Sequence, residues 1–456
     1  MHVRPWTIPF ALAAAAARPA AAQPDFEADA TVNVGYDQVT RSTFQADPMA
    51  EPADIPDDTS NRLFTELRPS IAVQTASPRL AWRFGYLFSS SINVLDVNPS
   101  YSNQGNATLV AQPGKYVMLT LNASAAQGGS SLLTSQRPAE TAQPEIRAPG
   151  NPNTVSATVV ESLAWDAGRR LAVQQSLGAA MSAPQGSFDE YNGTVNGSLG
   201  LERLSRRFTA GLEARSAVSR LRPQQSTLPP YTSVTNTALI RFNHDFSWKW
   251  NGLATAGIEQ VYTTTGSEPV ALLPTGSVTA LYTSGNIGGA VDISHGAVTN
   301  IQVGTVSVTD RITARGILTL DVQKLRTVSF SVGFLHNEPI GESAAIVAAG
   351  TGNVVQADAG FSTALTRSKN LLGTARYSMS YQYAQSGGLS PVLAHIVLVG
   401  VTGHYSTTSK ALQPLPARGR RVDGSDAKGF PLGGNPVQGG GDLDAPSPQQ
   451  PQQPQP

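Results

Sequence analysis

Apolar and polar positions alternate with a period of two along most of the chain. Leu63, Leu67, Ile71 and Val73 share one parity, and Glu66, Arg68, Ser70 and Gln74 share the other. Beyond the turn Ser77-Pro78-Arg79, the residues Leu80, Trp82, Phe84, Tyr86 and Phe88 alternate with Arg83, Gly85, Ser89 and Ser91. The pattern returns at Phe208 to Arg215, at Val306 to Leu320, at Val328 to Phe334 and at Arg376 to Tyr383. Successive side chains of a strand point to opposite faces, so each segment has one apolar and one polar face.

Soluble β-sandwiches share this period, but two features favour a membrane barrel. Many segments run well past the ~5–6 residues of an ordinary strand and reach the ~9–11 that a tilted strand needs to cross a bilayer. The connections also alternate in length. Long ones fall at 45–62, 94–106, 127–154, 184–191, 222–230, 265–275, 295–302, 337–352 and 386–391. Short ones lie between them, near Pro78, Pro113-Gly114, Gly168, Ser205, Asp245, Gly285, Lys324 and Lys369. Short turns on one side and long loops on the other are the layout of an outer-membrane barrel.

The expected fold is therefore all-β, a transmembrane antiparallel up-and-down β-barrel of about eighteen strands. It falls to sixteen if residues 276–303 form one bent strand rather than two around Ser284-Gly285-Asn286. An even strand number puts both termini in the periplasm. Asp310 falls on the lipid-facing parity, which implies either a bulge or a register displaced by one.

The ends of the chain differ from the middle. Arg4, the apolar stretch Trp6 to Ala17 and the small residues Ala20-Ala21-Ala22 read as a secretory signal peptide. The division is thus 1–22 signal peptide, 23–405 barrel and 406–456 a disordered Pro/Gln/Gly-rich periplasmic tail. Too few residues precede the first strand for a plug domain. The outer membrane of a Gram-negative bacterium is the expected location.

Composition narrows the classes further. The 32 basic residues balance 32 acidic ones, so a nucleic-acid partner is not expected. There is no cysteine, hence no disulfide framework or thiolate metal site. The carboxylates of the first long loop, Asp47, Glu51, Asp54, Asp57 and Asp58, have no EF-hand spacing and are interrupted by proline. They read as a solvated loop, and no metal or cofactor is expected.

Aromatics sit where membrane interfaces would fall. Trp82, Trp165, Phe208, Trp248 and Trp250 lie near the short-turn ends, and Phe88, Tyr262, Tyr381 and Tyr383 near the long-loop ends.

The segments "TSNRLFTELRPSIAVQTASPRLAWRFGYLFSSSINV" and "VSVTDRITARGILTLDVQKLRTVSFSVGFLHN" resemble outer-membrane β-barrel porins, and are similar to barrels associated with exopolysaccharide secretion in Gram-negative bacteria. The likeness spans most of 28–405 and rests on paired long strands joined by short Pro/Arg or Lys/Arg turns. It implies a channel, for polysaccharide or for small hydrophilic solutes, and carries no catalytic motif. Such barrels commonly end on an aromatic residue recognised by the barrel-insertion machinery. Tyr405 could take that part, although about fifty residues follow it.

The expected lumen-lining residues are Glu66, Arg68, Arg83, Glu213, Arg215, Arg311, Arg315 and Arg376. With arginine ahead, they imply a weakly anion-preferring pore, with Arg311 and Arg315 as the pair contacting solute. A saccharide path would favour inward aromatics; Tyr116 and Leu87 have the inward parity, and of these Tyr116 is aromatic. Expected partners are outer-membrane lipids and the insertion machinery, with periplasmic export components or cell wall reached through the tail. The competing readings are an adhesive surface barrel working through its loops and an outer-membrane hydrolase. The latter needs a nucleophile with a base in reach, and His395, the one histidine inside a clear strand, has no evident serine or acid partner.

Overall fold

The computed structural model describes residues 24–41, 58–77, 79–94, 99–129, 153–168, 170–185, 190–205, 207–222, 230–264, 271–301, 304–340, 352–383 and 392–407. They form eighteen strands: β1 (Asp25–Arg41), β2 (Asp58–Ala76), β3 (Leu80–Asn93), β4 (Pro99–Gly114), β5 (Val117–Gly129), β6 (Asn153–Gly168), β7 (Leu171–Pro184), β8 (Asn192–Leu204), β9 (Phe208–Leu221), β10 (Tyr231–Asp245), β11 (Trp250–Thr263), β12 (Ala271–Ser284), β13 (Ile287–Asn300), β14 (Thr305–Asp321), β15 (Arg326–Pro339), β16 (Gly352–Ala364), β17 (Leu371–Tyr383) and β18 (Val392–Ser406). Each pairs antiparallel with its neighbours in sequence. β1 and β18 close the sheet over the rungs Glu27↔Ser406 to Arg41↔Val392. Closure leaves no strand with an open side all along its length, which is what a sheet in lipid requires.

Alternation decides the faces. On β1, Val32, Val34 and Tyr36 are exposed while Asn33 is buried; on β2, Leu63, Leu67 and Ile71 are exposed while Glu66 and Gln74 are buried. The same inversion runs round the ring through Leu199, Leu201, Leu212, Ile240, Ile258, Val278, Ile293, Ile312, Phe330, Val332, Val397 and Val399, all exposed. An apolar outer face around a polar interior is the arrangement of a transmembrane barrel. A closed barrel with such an outer face is built to span an outer membrane.

Residues 276–303 resolve into β12 and β13, joined at Gly285, whose φ of 53° suits glycine. The count is therefore eighteen. Several strands begin or end further into the long connections than the pattern implies. β2 starts at Asp58 rather than after Arg62, β4 at Pro99 rather than past Asn106, and β12 at Ala271 rather than past Thr275, while β13 runs on to Asn300. Near the long-loop end the outward side chains turn polar, so apolar alternation fades before the hydrogen-bonded ladder does. Asn61 and Asn103, for example, accept hydrogen bonds from Tyr36 Oη and Tyr86 Oη.

No bulge interrupts β14 at Asp310; its register shifts only between Thr319 and Asp321. Asp310 lies opposite His295, with which it makes a 2.6 Å contact, and both side chains are exposed. Neither expected explanation of Asp310 holds: the register is continuous, and a histidine partners the outward carboxylate. The segment 1–23, the acidic residues 47–57 and the tail from 408 onward lie outside the described residues.

Candidate channel lining

Two charged groups occupy opposite parts of the ring. Around β16–β3, Arg62 pairs with Asp37 at 3.2 Å, Arg68 with Glu66 at 4.0 Å, Arg83 with Glu27 at 3.3 Å and Arg376 with Asp358 at 2.8 Å. Glu66 is fully buried; its carboxylate accepts from Asn33 Nδ2 at 3.0 Å and from Ser89 Oγ at 2.8 Å. About half the strand order away, Arg241 on β10 lies between Glu213 at 3.1 Å and Glu202 at 3.5 Å. Arg215 Nε donates to the other oxygen of Glu213 at 2.6 Å, and Gln174 donates to Glu202 at 3.0 Å. On the wall between, Arg315 pairs with Asp292 at 3.4 Å.

All eight expected charged residues sit on the parity opposite the exposed apolar one. Alternation alone does not signal their partners Glu27, Asp37, Glu202, Asp292 and Asp358, nor Arg62 and Arg241: it puts Arg62 in a long connection and leaves Arg241 outside the segments it marks. Carboxylates pair with Arg62, Arg68, Arg83, Arg215, Arg241, Arg315 and Arg376, so the inward charge is balanced rather than led by arginine. Leu87 shares the inward parity. Tyr116 does not stand in a strand; it occupies the β4–β5 turn, with Lys115 Nζ 5.3 Å from its ring centroid.

The interior also holds apolar groups. Phe64 is buried with Ile396 and Leu398, and the Arg62 guanidinium lies 4.9 Å from its ring centroid. A second cluster forms at the long-loop end of the β13–β14 hairpin. Ile301 and Val306 are fully buried there with Ala180, Leu221, Tyr231, Val261 and Ala297. These residues belong to β7, β9, β10 and β11 as well as to the hairpin, so the tip reaches the inner face of strands well beyond its neighbours.

Polar ties fix that position. Glu259 Oε2 on β11 accepts from the Ala297 N–H at 2.7 Å, and Glu259 Oε1 accepts from Thr237 Oγ1 at 3.0 Å. Tyr231 Oη donates to the Gly304 carbonyl at 3.2 Å. Thr275 Oγ1 donates to the His295 carbonyl at 3.1 Å. A Cβ at position 296 would run into Thr275 Oγ1 and lie 3.3 Å from Glu259 Oε2, so with threonine at 275 the base of the hairpin takes glycine. No hydropathy pattern signals an inward fold, because Ile301 and Val306 look like any strand-end residues.

The aromatics sit towards the strand ends. Trp82 and Trp165 lie near short turns, Trp248 is 82% exposed in the β10–β11 turn, and the Trp250 and Tyr282 rings lie 4.7 Å apart, tilted at 51°. At the other end, Tyr262 lies one residue before the end of β11, and Tyr381 and Tyr383 stack at 5.3 Å. His395 faces outward, its Nδ1 2.8 Å from Tyr377 Oη. Among the described residues, no group of three or more His, Asp or Glu side chains could hold a metal ion.

No protein-family model matches the chain, and no curated protein does. Among solved structures, the outer membrane protein OpdK from Pseudomonas aeruginosa is 10% identical, with 83% of this chain and 99% of its own covered and a TM-score of 0.40. Acinetobacter baumannii OccAB4 is 8% identical over 83% of this chain and 98% of its own, with a TM-score of 0.43. Pseudomonas aeruginosa OpdO is 9% identical over 84% and 98%, with a TM-score of 0.42.

Proposed function

We propose that the chain is a porin-like channel for small hydrophilic solutes. The observation that carries this reading is the inward face itself: ion pairs and hydroxyls line both walls of a closed barrel whose outer face is apolar. Eighteen strands enclose a lumen wide enough for water unless inserted segments fill it. The β13–β14 hairpin would narrow it without crossing to the arginine-bearing wall around β2 and β17. Paired charges on both walls imply weak ion selectivity, in place of the anion preference expected from arginine alone.

A polysaccharide conduit would need a ladder of inward aromatic faces for sugar rings to stack on. Phe64 and Tyr231, the aromatics of the inner apolar clusters, are buried at 3% and 4% exposure and offer no open face. Small solutes are therefore the preferred cargo. Tyr405, exposed near the end of β18, is the aromatic we assign to the insertion machinery. The Pro/Gln/Gly-rich segment that follows in sequence we assign as a tether to export components or cell wall.

Liposome swelling tests the proposal. Vesicles carrying the refolded barrel should swell in small sugars and amino acids at rates that fall with solute size. Vesicles that swell no faster than protein-free ones would overturn it.

A further inference from the structure

The seam between β12 and β13 parts before either strand ends. Its ladder runs from Ser284↔Ile287 up to Gly276↔His295 and stops. In the same register, Thr275 through Ala271 would face Gly296 through Asn300, yet those five rungs are absent although both segments are strand. β13 instead stays with β14 up to Asn300↔Thr305 and swings inward. Ala297 then meets Glu259 on β11, past β12. No other neighbouring pair among the described strands loses so many rungs.

The notch lies at membrane depth. Trp250 pairs with Tyr282 at the short-turn end, and Tyr262 marks the other end of β11. The about twelve residues between them, at ~3.4 Å each and a tilt of ~35–45°, span about 30 Å. Residues 271–275 pair with 257–261, so they fall below the level of Tyr262. Pro274 sits in this stretch; it has no N–H to leave unpaired, and proline in a sheet belongs on an open edge.

The two sides of the notch differ from the walls around them. Outside, Leu272 is 65% exposed, above Val278 and Ile293, which are exposed on the outer face. The last rung carries the His295–Asp310 pair on that face, and ionisable groups facing lipid are costly and tend to mark ligand paths. Inside, Leu273 packs on the cluster of Val261, Ile301, Val306 and Tyr231. An apolar lining here adjoins the longest gap in the ladder among the described strands.

We propose that this notch is a binding site for an acyl chain of a bilayer lipid. The chain would enter from the outer leaflet between β12 and β13 and lie against Leu273, which covers Val261. The headgroup would stay outside, at the level of Tyr262. What faces a gap at that depth is hydrocarbon, and the notch offers it apolar side chains rather than the ion pairs found elsewhere inside.

Photolabelling of the intact barrel tests this. The protein is reconstituted in vesicles containing phosphatidylcholine with a mid-chain diazirine, irradiated, and mapped by mass spectrometry. A parallel sample uses a free diazirine fatty acid. The expected result is phospholipid labelling of inward Leu273 at a level comparable with outward Leu272. Leu273→Glu should lower the inward labelling several-fold and leave the outward Leu272 label unchanged. Phospholipid labels confined to outward residues would overturn the proposal, and so would inward labels that arise only from the free acid. The wild-type map decides the matter even if Leu273→Glu does not fold.

Discussion

Replacing Glu259 with leucine should loosen the inward-folded hairpin. In the parent, the Glu259 carboxylate accepts from the Ala297 N–H at 2.7 Å and from Thr237 Oγ1 at 3.0 Å. Hydrogen bonds to charged groups contribute about 1.5–3 kcal/mol each, and a buried donor left unsatisfied costs about 1–3 kcal/mol. Leucine removes the acceptor and orphans the Ala297 N–H, so the closed position loses about 2 kcal/mol. Each ~1.4 kcal/mol is a factor of ten, and the open population should rise about thirtyfold. The tie from Tyr231 Oη to Gly304 and the burial of Ile301 and Val306 remain; a buried aliphatic side chain of that size contributes about 1.5–3 kcal/mol. The tip should therefore fluctuate rather than leave. Single-channel recording at fixed voltage reads this as more frequent excursions to a higher conductance. Glu259→Gln keeps a carbonyl acceptor and should behave closer to the parent. Identical traces from parent and Glu259→Leu would refute the hairpin as the constriction.

Three other substitutions probe different parts of the interior. Arg241→Met leaves Glu202 and Glu213 without the cation between them; breaking a buried pair this way costs about 3–5 kcal/mol, read as a lower urea midpoint for unfolding from vesicles. Gly35→Val places a Cβ against the Phe64 ring and 2.7 Å from Leu398 Cδ2. That overpacking should cost about 1–3 kcal/mol, lower the temperature of the heat-induced gel shift, and be relieved by Phe64→Leu. The pair Thr275→Cys and Gly296→Cys brings two Cβ atoms to about 3.4 Å, near the ~3.5–4.5 Å of a disulfide. With no native cysteine to compete, it should oxidise and quiet the hairpin's conductance fluctuations. Thiols that stay open to alkylation under oxidising conditions would show that the hairpin base lies elsewhere.

The fold was legible because barrel strands write their two environments into alternate positions. Phe84 and Tyr86 against Arg83 and Gly85 are enough to orient β3, and the short turn at Gly285 is enough to separate β12 from β13. Legibility fails where the outer environment stops being hydrocarbon. Asp58 to Asn61 and Pro99 to Asn103 belong to strands, yet Thr59, Asn61 and Asn103 on the outward parity are polar and Pro99 interrupts the pattern, so both stretches read as loop. Inward charges were readable one strand at a time. Their pairing was not, because Arg241 meets Glu213 and Glu202 from two other strands, and only register brings them together. The hairpin fold and the short β12–β13 ladder left no mark beyond Gly296 and Pro274, neither of which announces its role without the strand pairing.

Planar-bilayer recording reads whether a wet interior lies inside the lipid-facing wall. Refolded, heat-modifiable protein should insert in discrete current steps whose size rises in proportion to bulk salt. Protein that inserts in the same folded form yet gives no steps at any salt concentration would mean that the lumen is sealed and that the barrel is no channel.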